Sequence, residues 1–166
     1  MKNIKILIIG KNSFIGSNLN VYLKKKKIKT KITGYRNFLS KNLFKNEYNY
    51  IINCSSNKNF INKKYNSRFD HDLNIAKLIS KFNTKLIFLS TRKIYIPKYN
   101  INENTIKRPL CNYSKNKLIS EKKLMSIIKN KFLIYRVSNV IGLPIKNNKK
   151  KIHWTFIDDF FEFASK

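Results

Sequence analysis

A chain of 166 residues is one domain of ordinary size, long enough to fold around a single core without disulfides or a bound metal. The formal net charge of +28 invites a nucleic-acid interpretation, but the excess is almost all lysine, and arginine and interleaved aromatic residues are not concentrated anywhere, so we expect no specific nucleic-acid partner. Cys54 and Cys111 lack the spacing of metal ligands and no apolar run could span a bilayer, so the composition predicts a cytoplasmic protein without a metal site.

Five short apolar segments have the length and composition of buried β-strands. The first, residues 4–9, is a nearly continuous apolar run that ends at Gly10, which is typical of a strand buried on both faces of a parallel sheet. Four further segments share this β-branched or aromatic character, although lysines interrupt the first of them: residues 28–33, 50–54, 86–90 and 132–137.

Helical patterns lie between these strands, at residues 17–25, 73–82 and 113–129. Alternation of strand and helix with short connections requires parallel crossovers, which predicts an α/β fold with a doubly wound parallel sheet and helices on both faces. Residues 36–48 are too few for both a helix and a full strand, so five or six strands are expected. We assign this domain to residues 1–145 and treat residues 146–166 as a separate C-terminal segment.

The segment between the first strand and the first helix has the form of a phosphate-binding loop. Gly10 would let the backbone approach a pyrophosphate, and Gly16 would let the helix pack close to the strand. Ser13 takes the place of the middle glycine of the usual pattern. An ordinary strand-to-helix turn would account for one glycine, but two of the chain's four glycines fall at these positions. We therefore predict a Rossmann fold whose dinucleotide cofactor contacts Gly10, Ser13, Phe14, Ile15 and Gly16.

The position after the second strand bears on the choice of cofactor. A carboxylate there normally holds the adenosine ribose of NAD, but the first acidic residue of this chain is Glu47. Arg36 follows the strand instead, and its guanidinium could pair with the 2′-phosphate of NADP. A solvated arginine on a basic surface would account for it equally well. The sequence therefore favours NADP(H) and leaves NAD(H) open.

A tyrosine and a lysine four residues apart, Tyr113 and Lys117, form the candidate proton-transfer pair. Residues four apart share one face of a helix, and a nearby ammonium together with the positive charge of an oxidised nicotinamide would favour the phenolate form of the tyrosine. The spacing alone is a weak signal, because lysine is abundant and Tyr22 and Lys26 repeat it. The interpretation therefore depends on the surrounding residues.

Two hydroxyls, those of Ser90 and Thr91, follow the predicted strand 86–90 at the carboxyl edge of the sheet, where ligands bind in such folds. With these residues in place, the chain resembles the extended short-chain dehydrogenase/reductase family, the NAD(P)-dependent epimerases, dehydratases and reductases of nucleotide sugars. The resemblance covers about residues 3–142 and rests on five segments in the expected order: 10–16, 51–56, 90–95, 113–117 with Glu121, and 136–142. Each segment alone is weak evidence for the family, but five segments in this order and at these spacings are strong evidence.

The resemblance implies a role for each matching residue. Tyr113 would be the general acid/base, Thr91 would hydrogen-bond the reacting hydroxyl or carbonyl, and Lys117 would hold the nicotinamide ribose. Ser138 would lie at the nicotinamide end of the cofactor, and Asn139 would contact the substrate. A surface pair on an amphipathic helix is the structural alternative for Tyr113 and Lys117. The end of the third strand would line the cofactor with Cys54, Ser55 and Ser56.

Two departures from the family narrow the prediction. Family dehydratases carry an acidic pair after the catalytic threonine, whereas Arg92 and Lys93 follow Thr91 here, so reductase or epimerase chemistry is expected rather than 4,6-dehydration. Family members also continue into a C-terminal lobe that binds the sugar nucleotide. We expect that lobe to be missing, with residues 146–166 forming either its first helix or a helix docked on the core.

The leading prediction is an NAD(P)-dependent oxidoreductase or epimerase that acts on a nucleotide sugar or a related sugar. The alternative is a non-catalytic dinucleotide-binding or assembly module. The resemblance implies a homodimer, and no membrane partner is expected.

Overall fold

The computed structural model describes residues 4–45, 48–96, 101–102 and 104–137. Its centre is a sheet of five parallel strands in the order β2-β1-β3-β4-β5. The strands are β1 Lys5–Ile9, β2 Lys29–Thr33, β3 Tyr50–Asn53, β4 Lys85–Thr91 and β5 Phe132–Val137. The five predicted strands and the doubly wound parallel sheet are confirmed.

In the part of the chain that the structure describes, five α-helices connect the strands: α1 Phe14–Lys25, α2 Tyr35–Ser40, α3 Lys58–Asn62, α4 His71–Ile79 and α5 Asn112–Ile128. Helices α1, α4 and α5 correspond to the three predicted helical segments. Helices α1 and α4 begin earlier than predicted because a side chain caps each of them. Ser13 Oγ accepts a hydrogen bond from the backbone N–H of Gly16 at 2.9 Å, and Asp70 Oδ1 accepts one from that of Leu73 at 3.0 Å.

The connection from β2 to β3 is helical in its described residues. Helix α2 and a single 3₁₀ turn, Leu43–Lys45, occupy this stretch, and no strand occurs among its described residues. Phe38 of α2 and Leu43 of the turn are buried against the sheet, so the segment covers the core without adding to the sheet. As expected, the described residues of 36–48 do not form both a helix and a full strand.

Apolar side chains cover both faces of the sheet. Alternate residues of β1 point to opposite faces, so Leu7 and Ile9 lie in one core cluster while Ile6 and Ile8 lie in the other. Helices α4 and α5 close the first face, with Ile75, Ile79, Leu124 and Ile128 among the buried residues, and α1 closes the second with Leu19 and Leu23. Each such side chain, fully buried, contributes about 1.5–3 kcal/mol to folding. Both faces of the sheet are therefore buried under helices, as the continuous apolar strands predicted.

Strand β2 lies at one edge of the sheet, which accounts for its diluted sequence. Lys29 and Lys31 are exposed along it. Charged side chains on an edge strand discourage pairing with a second chain. The lysines that interrupt the apolar pattern of β2 therefore suit a strand at the edge of the sheet.

The carboxyl edge of the sheet is where the chain can form a ligand site. Strand β1 has β2 on one side and β3 on the other, so the connections that leave β1 and β3 diverge and open a crevice between them. Among the helices that the structure describes, none is both long and apolar enough to cross a membrane. The expected boundary at residue 145 and the segment 146–166 lie outside the described residues.

Candidate active site

The loop after β1 requires glycine at both ends. Gly10 has φ +124°, a conformation that side chains disfavour, and a Cβ there would lie 2.9 Å from the backbone carbonyl carbon of Cys54. A Cβ at Gly16 would lie 2.5 Å from the carbonyl oxygen of Gly10 and 2.7 Å from Ser13 Oγ. The two glycines therefore let the loops after β1 and β3 approach each other and let α1 begin close to the sheet.

Ser13, which takes the place of the middle glycine of the usual pattern, stabilises this turn with two hydrogen bonds. Its hydroxyl donates to the carbonyl oxygen of Gly10 at 2.8 Å and accepts from the backbone N–H of Gly16 at 2.9 Å. Helix α1 starts at Phe14, so the N–H groups of Phe14 and Ile15 belong to its first turn and have no intrahelical acceptor. Both residues are half-buried. Free N–H groups at a positive helix end next to a glycine cradle suit a pyrophosphate.

Arg36 lies in the first turn of α2, directly after β2, and its side chain is exposed. Strand β2 pairs with β1, and the backbone N–H groups of Gly10 and Lys11 both donate to the carbonyl oxygen of Thr33. The phosphate-binding loop is thus tied to the end of β2, close to where Arg36 begins α2. Contact between Arg36 and a 2′-phosphate stays a prediction.

The three residues after β3 have different environments. The backbone N–H of Cys54 donates to the carbonyl oxygen of Ile9 at 2.7 Å, and burial raises the pKa of its thiol to about 12. Ser55 Oγ donates to Asn53 Oδ1 at 2.7 Å and lies 2.9 Å from Nδ1 of His71. Ser56 is exposed. The Ser55 side chain is therefore engaged within the protein, whereas Ser56 is accessible to a ligand.

Tyr113 lies in the first turn of α5, at the carboxyl edge of the sheet. A capping box between Cys111 and Ser114 starts the helix, in which Ser114 Oγ accepts from the backbone N–H of Cys111 at 3.3 Å. Tyr113 is half-buried, and Lys117, one turn later, is only 6% exposed. The predicted pair therefore lies on a face of α5 that packs on the protein, which disagrees with the alternative of a surface pair.

Lys117 has a buried counterion that the sequence analysis did not identify. Its Nζ lies 3.1 Å from Oδ2 of Asp72, with side-chain exposures of 7% and 4%. The ammonium also lies 4.5 Å from the centroid of the Phe88 ring on β4. Burial disfavours the ammonium, but the charges of Asp72, Tyr113 and Asp70, together with the hydrogen bond to Asp72, raise the pKa of Lys117. Burial also raises the pKa of Asp72, and the charge of Lys117 opposes that rise. Lys117 is therefore positively charged at neutral pH.

Asp72 is itself held by the end of β3. Its Oδ1 accepts from Asn53 Nδ2 at 2.8 Å, while Asn53 Oδ1 accepts from both the backbone N–H and the hydroxyl of Ser55. His71 extends the network, and its ring stacks on that of Tyr35 with centroids 3.5 Å apart. Burial lowers the pKa of His71 to about 4, so this imidazole is neutral. The loop after β3, the start of α4 and Lys117 form one connected polar network.

The two hydroxyls at the end of β4 differ in what they contact. Ser90 Oγ donates to Glu121 Oε1 at 2.6 Å, and Glu121 also binds the guanidinium of Arg136 through both oxygens. Ser90 is therefore a structural residue that links β4 to α5. Thr91 Oγ1 accepts from the backbone N–H of Lys93 at 3.2 Å, and a hydroxyl that accepts one bond keeps its own proton to donate. Of the two, Thr91 is the one that could still bind a substrate oxygen.

Two predicted site residues lie in a part of the chain that the structure does not describe, and two residues of the site were not predicted. Ser138 and Asn139 lie outside the described residues. Asp72 and Asn53 were missed. The sequence held one signal for Asp72, because acidic residues are scarce in this chain, which has only eight. The three in the part that the structure describes, Asp70, Asp72 and Glu121, are all buried.

The chain is similar to known proteins in both sequence and fold. A sequence model of the NAD dependent epimerase/dehydratase family matches residues 6–161. No curated protein matched the sequence. Among solved structures, a dTDP-4-dehydrorhamnose reductase from Clostridium acetobutylicum has a TM-score of 0.69 and 21% identity, covering 98% of this chain and 60% of that one.

Two other similar structures contain a bound cofactor. UDP-glucuronic acid 4-epimerase from Bacillus cereus, in complex with NAD, has a TM-score of 0.62 and 19% identity over 84% of this chain and 58% of its own. RMD from Pseudomonas aeruginosa, complexed with NADPH, has a TM-score of 0.70 and 17% identity over 86% of this chain and 56% of its own. At these identities the likeness establishes the fold. The chain spans about 60% of the length of the reductase.

Proposed function

Because the chain belongs to the NAD-dependent epimerase/dehydratase family, we propose that it is an oxidoreductase or epimerase that uses NADP(H) or NAD(H) and acts on a nucleotide sugar or a related sugar. One observation carries the proposal: the loop from Gly10 to Gly16 and the pair Tyr113 and Lys117 lie at the carboxyl edge of one parallel sheet. The similar proteins support the substrate class, since one is a dTDP-4-dehydrorhamnose reductase and another a UDP-glucuronic acid epimerase.

Each residue of the site has a distinct task in this proposal. The Tyr113 hydroxyl exchanges a proton with the reacting oxygen of the sugar, and Thr91 hydrogen-bonds the same oxygen. Lys117 binds the ribose next to the nicotinamide and favours the phenolate form of Tyr113. The nicotinamide, when bound, supplies or accepts a hydride. Ser138 and Asn139 complete the nicotinamide and substrate ends.

The remaining predicted residues hold the far end of the cofactor. The backbone N–H groups at the start of α1 bind the pyrophosphate, next to Gly10, Ser13 and Gly16. The loop formed by residues 54–56 lines the crevice, and Arg36 binds the 2′-phosphate when the cofactor is NADP(H).

The residues after Thr91 favour reduction or epimerisation over dehydration. Arg92 and Lys93 form the 3₁₀ turn that follows β4, and both are exposed. Neither can act as the carboxylic acid or carboxylate base that elimination of water needs. Proton transfer by a single hydroxyl, coupled to hydride transfer, is sufficient for reduction of a keto sugar.

The proposal is tested by cofactor titration followed by turnover of a 4-keto nucleotide sugar. Tyr113→Phe removes one hydroxyl and keeps the ring, so we expect kcat to fall by about 10²- to 10⁴-fold, the usual contribution of a general acid/base, while the Kd for NADPH stays within about twofold. Tyr22→Phe is the matched control, because Tyr22 has the same spacing to Lys26 on α1 and should leave both quantities unchanged.

The outcomes separate the alternatives. If the folded protein binds neither NADPH nor NADH, the proposed function is wrong. If it binds a cofactor but turns over no nucleotide sugar, a non-catalytic dinucleotide-binding module is the better description. Full turnover by Tyr113→Phe would exclude Tyr113 as the acid/base.

A further inference from the structure

The buried carboxylates of the described residues differ in what they bind. Asp70 caps α4 and accepts from the hydroxyls of Tyr65 and Ser120, so its role is structural. Glu121 likewise joins α5 to β4 and β5. Asp72 instead binds Lys117, a residue that the proposed function places against the cofactor. Resting on that proposed function, we propose that Asp72 is a positioning residue that keeps Lys117 charged and aimed at the nicotinamide ribose.

The geometry leaves Lys117 with donors to spare. An ammonium has three N–H donors, and Asp72 Oδ2 takes one of them at 3.1 Å. The ring face of Phe88 fixes the ammonium from another side, with 4.5 Å between Nζ and the ring centroid. Two donors remain for the ribose hydroxyls and the Tyr113 oxygen. Asp72 thus sets the direction of the ammonium group at the end of a flexible four-carbon side chain.

Asp72 can direct Lys117 only because it is itself fixed. Its backbone lies in the first turn of α4, and its second oxygen accepts from Asn53 Nδ2 at 2.8 Å. Asn53 is in turn bonded to the backbone N–H and the hydroxyl of Ser55. Lys117 is therefore connected through Asp72 and Asn53 to the loop after β3, which lines the cofactor crevice. The same hydrogen-bond network positions both the lysine and this loop.

The charge of Lys117 depends on this carboxylate. Lys117 is 6% exposed, and a lysine buried to this extent without a counterion loses its proton near neutral pH. The ionisable groups that act on Lys117 are Tyr113 on its own helix and Asp70 and Asp72 on α4. It acts in turn on Cys54 and His71, whose pKa values, about 12 and about 4, keep both uncharged between pH 6 and pH 9. Over that range Asp72 provides the nearest compensating charge.

The test compares NADPH affinity of the full chain with that of Asp72→Asn at intervals from pH 6 to pH 9. Taking the ratio of the two Kd values at each pH cancels the titration of NADPH itself. We expect the ratio to increase with pH, reaching about 10- to 100-fold at pH 9, because the variant's Lys117 loses its proton and with it a charged hydrogen bond to the ribose. A ratio that is the same at every pH would overturn the proposal.

Two further variants distinguish positioning from stability. Asp70→Asn removes the neighbouring buried carboxylate, which makes no contact with Lys117 and contributes least to its charge, so it should lower the midpoint of unfolding and change the pH dependence of NADPH binding much less than Asp72→Asn does. Asp72→Glu keeps the charge but displaces it by one methylene, so NADPH binding should weaken without a pH trend. If Asp72→Asn does not fold, unchanged NADPH affinity of Asp72→Glu would itself contradict the proposal.

A titration of Lys117 in protein without cofactor tests the role of Asp72 independently of whether the protein binds a nicotinamide cofactor. In protein labelled with ¹³C lysine, the Cε signal of Lys117 can be identified by its loss in Lys117→Met. It should keep its charged position to a higher pH in the wild type than in Asp72→Asn. This result would support the role of Asp72 even if NADPH and NADH fail to bind, in which case only the proposed function falls. A Lys117 signal with the same titration in both proteins would reject the role.

Discussion

Arg36 offers the sharpest test of cofactor choice at the scale of a single residue. It is exposed in the first turn of α2, beside the loop that would hold the pyrophosphate. We expect Arg36→Ala to weaken NADPH binding by about 10- to 100-fold, because one charged hydrogen-bonding partner of the 2′-phosphate is lost. NADH lacks that phosphate, so its Kd should change by less than about twofold.

The matched control for this prediction is Arg68→Ala. Arg68 is also exposed, in a 3₁₀ turn before α4, and its removal lowers the net charge by the same amount. Fluorescence titration of the three proteins with each cofactor decides the question. Equal loss of NADPH affinity in both variants would mean that general charge, and not a contact with Arg36, favours the phosphorylated cofactor.

Single residues were predictable where the signal is local. The spacing of Tyr113 and Lys117 fixes their common helix face, and the position of Gly10 after an apolar strand fixes a turn. Asp72 was missed because its contact with Lys117 joins residues 45 positions apart and exists only once α4 and α5 pack together. The part that Ser13 plays in the turn was not predictable from the glycine pattern, because a hydroxyl can build with hydrogen bonds the turn that glycine builds by conformational freedom.

At the scale of an element, the start of α1 depends on Gly16. A Cβ at this position would lie 2.5 Å from the backbone oxygen of Gly10, which cannot move without disturbing the loop. We expect Gly16→Ala to lower the free energy of unfolding by about 1–3 kcal/mol, the usual cost of overpacking. Urea denaturation measures this change, and NADPH affinity should fall with it because the phosphate loop is displaced.

Gly34→Ala is the control for Gly16→Ala. Nothing lies within 4 Å of a Cβ at Gly34, and its φ of −82° is open to any residue. The free energy of unfolding should therefore change by less than about 1 kcal/mol. Equal destabilisation by the two substitutions would show that the close approach at Gly16 is not what the helix start requires.

Elements were predictable because strand and helix patterns alternate clearly, and their limits were predictable only to within a few residues. The early starts of α1 and α4 depend on caps from Ser13 and Asp70. The apolar pattern does not record such caps, because it follows buried side chains and not backbone N–H groups. Helix α2 was not predicted as an element, since with six residues it is too short for a periodic signal.

At the scale of the whole molecule, positive charge is the dominant feature, and it should make stability depend on salt. The net charge of +28 means that surface lysines repel one another in the compact state. The ion pairs of the described part, Lys117 with Asp72 and Arg136 with Glu121, are largely buried, so added salt screens them little. Salt therefore removes more repulsion than attraction.

We expect the melting temperature to rise by several degrees between about 20 mM and 500 mM sodium chloride, since the Debye length falls from about 20 Å to about 4 Å and a gain of about 1 kcal/mol raises Tm by about 2–4 °C in a chain of this size. A variant carrying Lys24→Glu, Lys29→Glu and Lys31→Glu, three exposed positions on α1 and β2, has a lower net charge and should respond less. Calorimetry at matched protein concentration measures both responses. A Tm that falls with salt, or an equal rise in the variant, would mean that repulsion between surface lysines does not limit the stability of this fold.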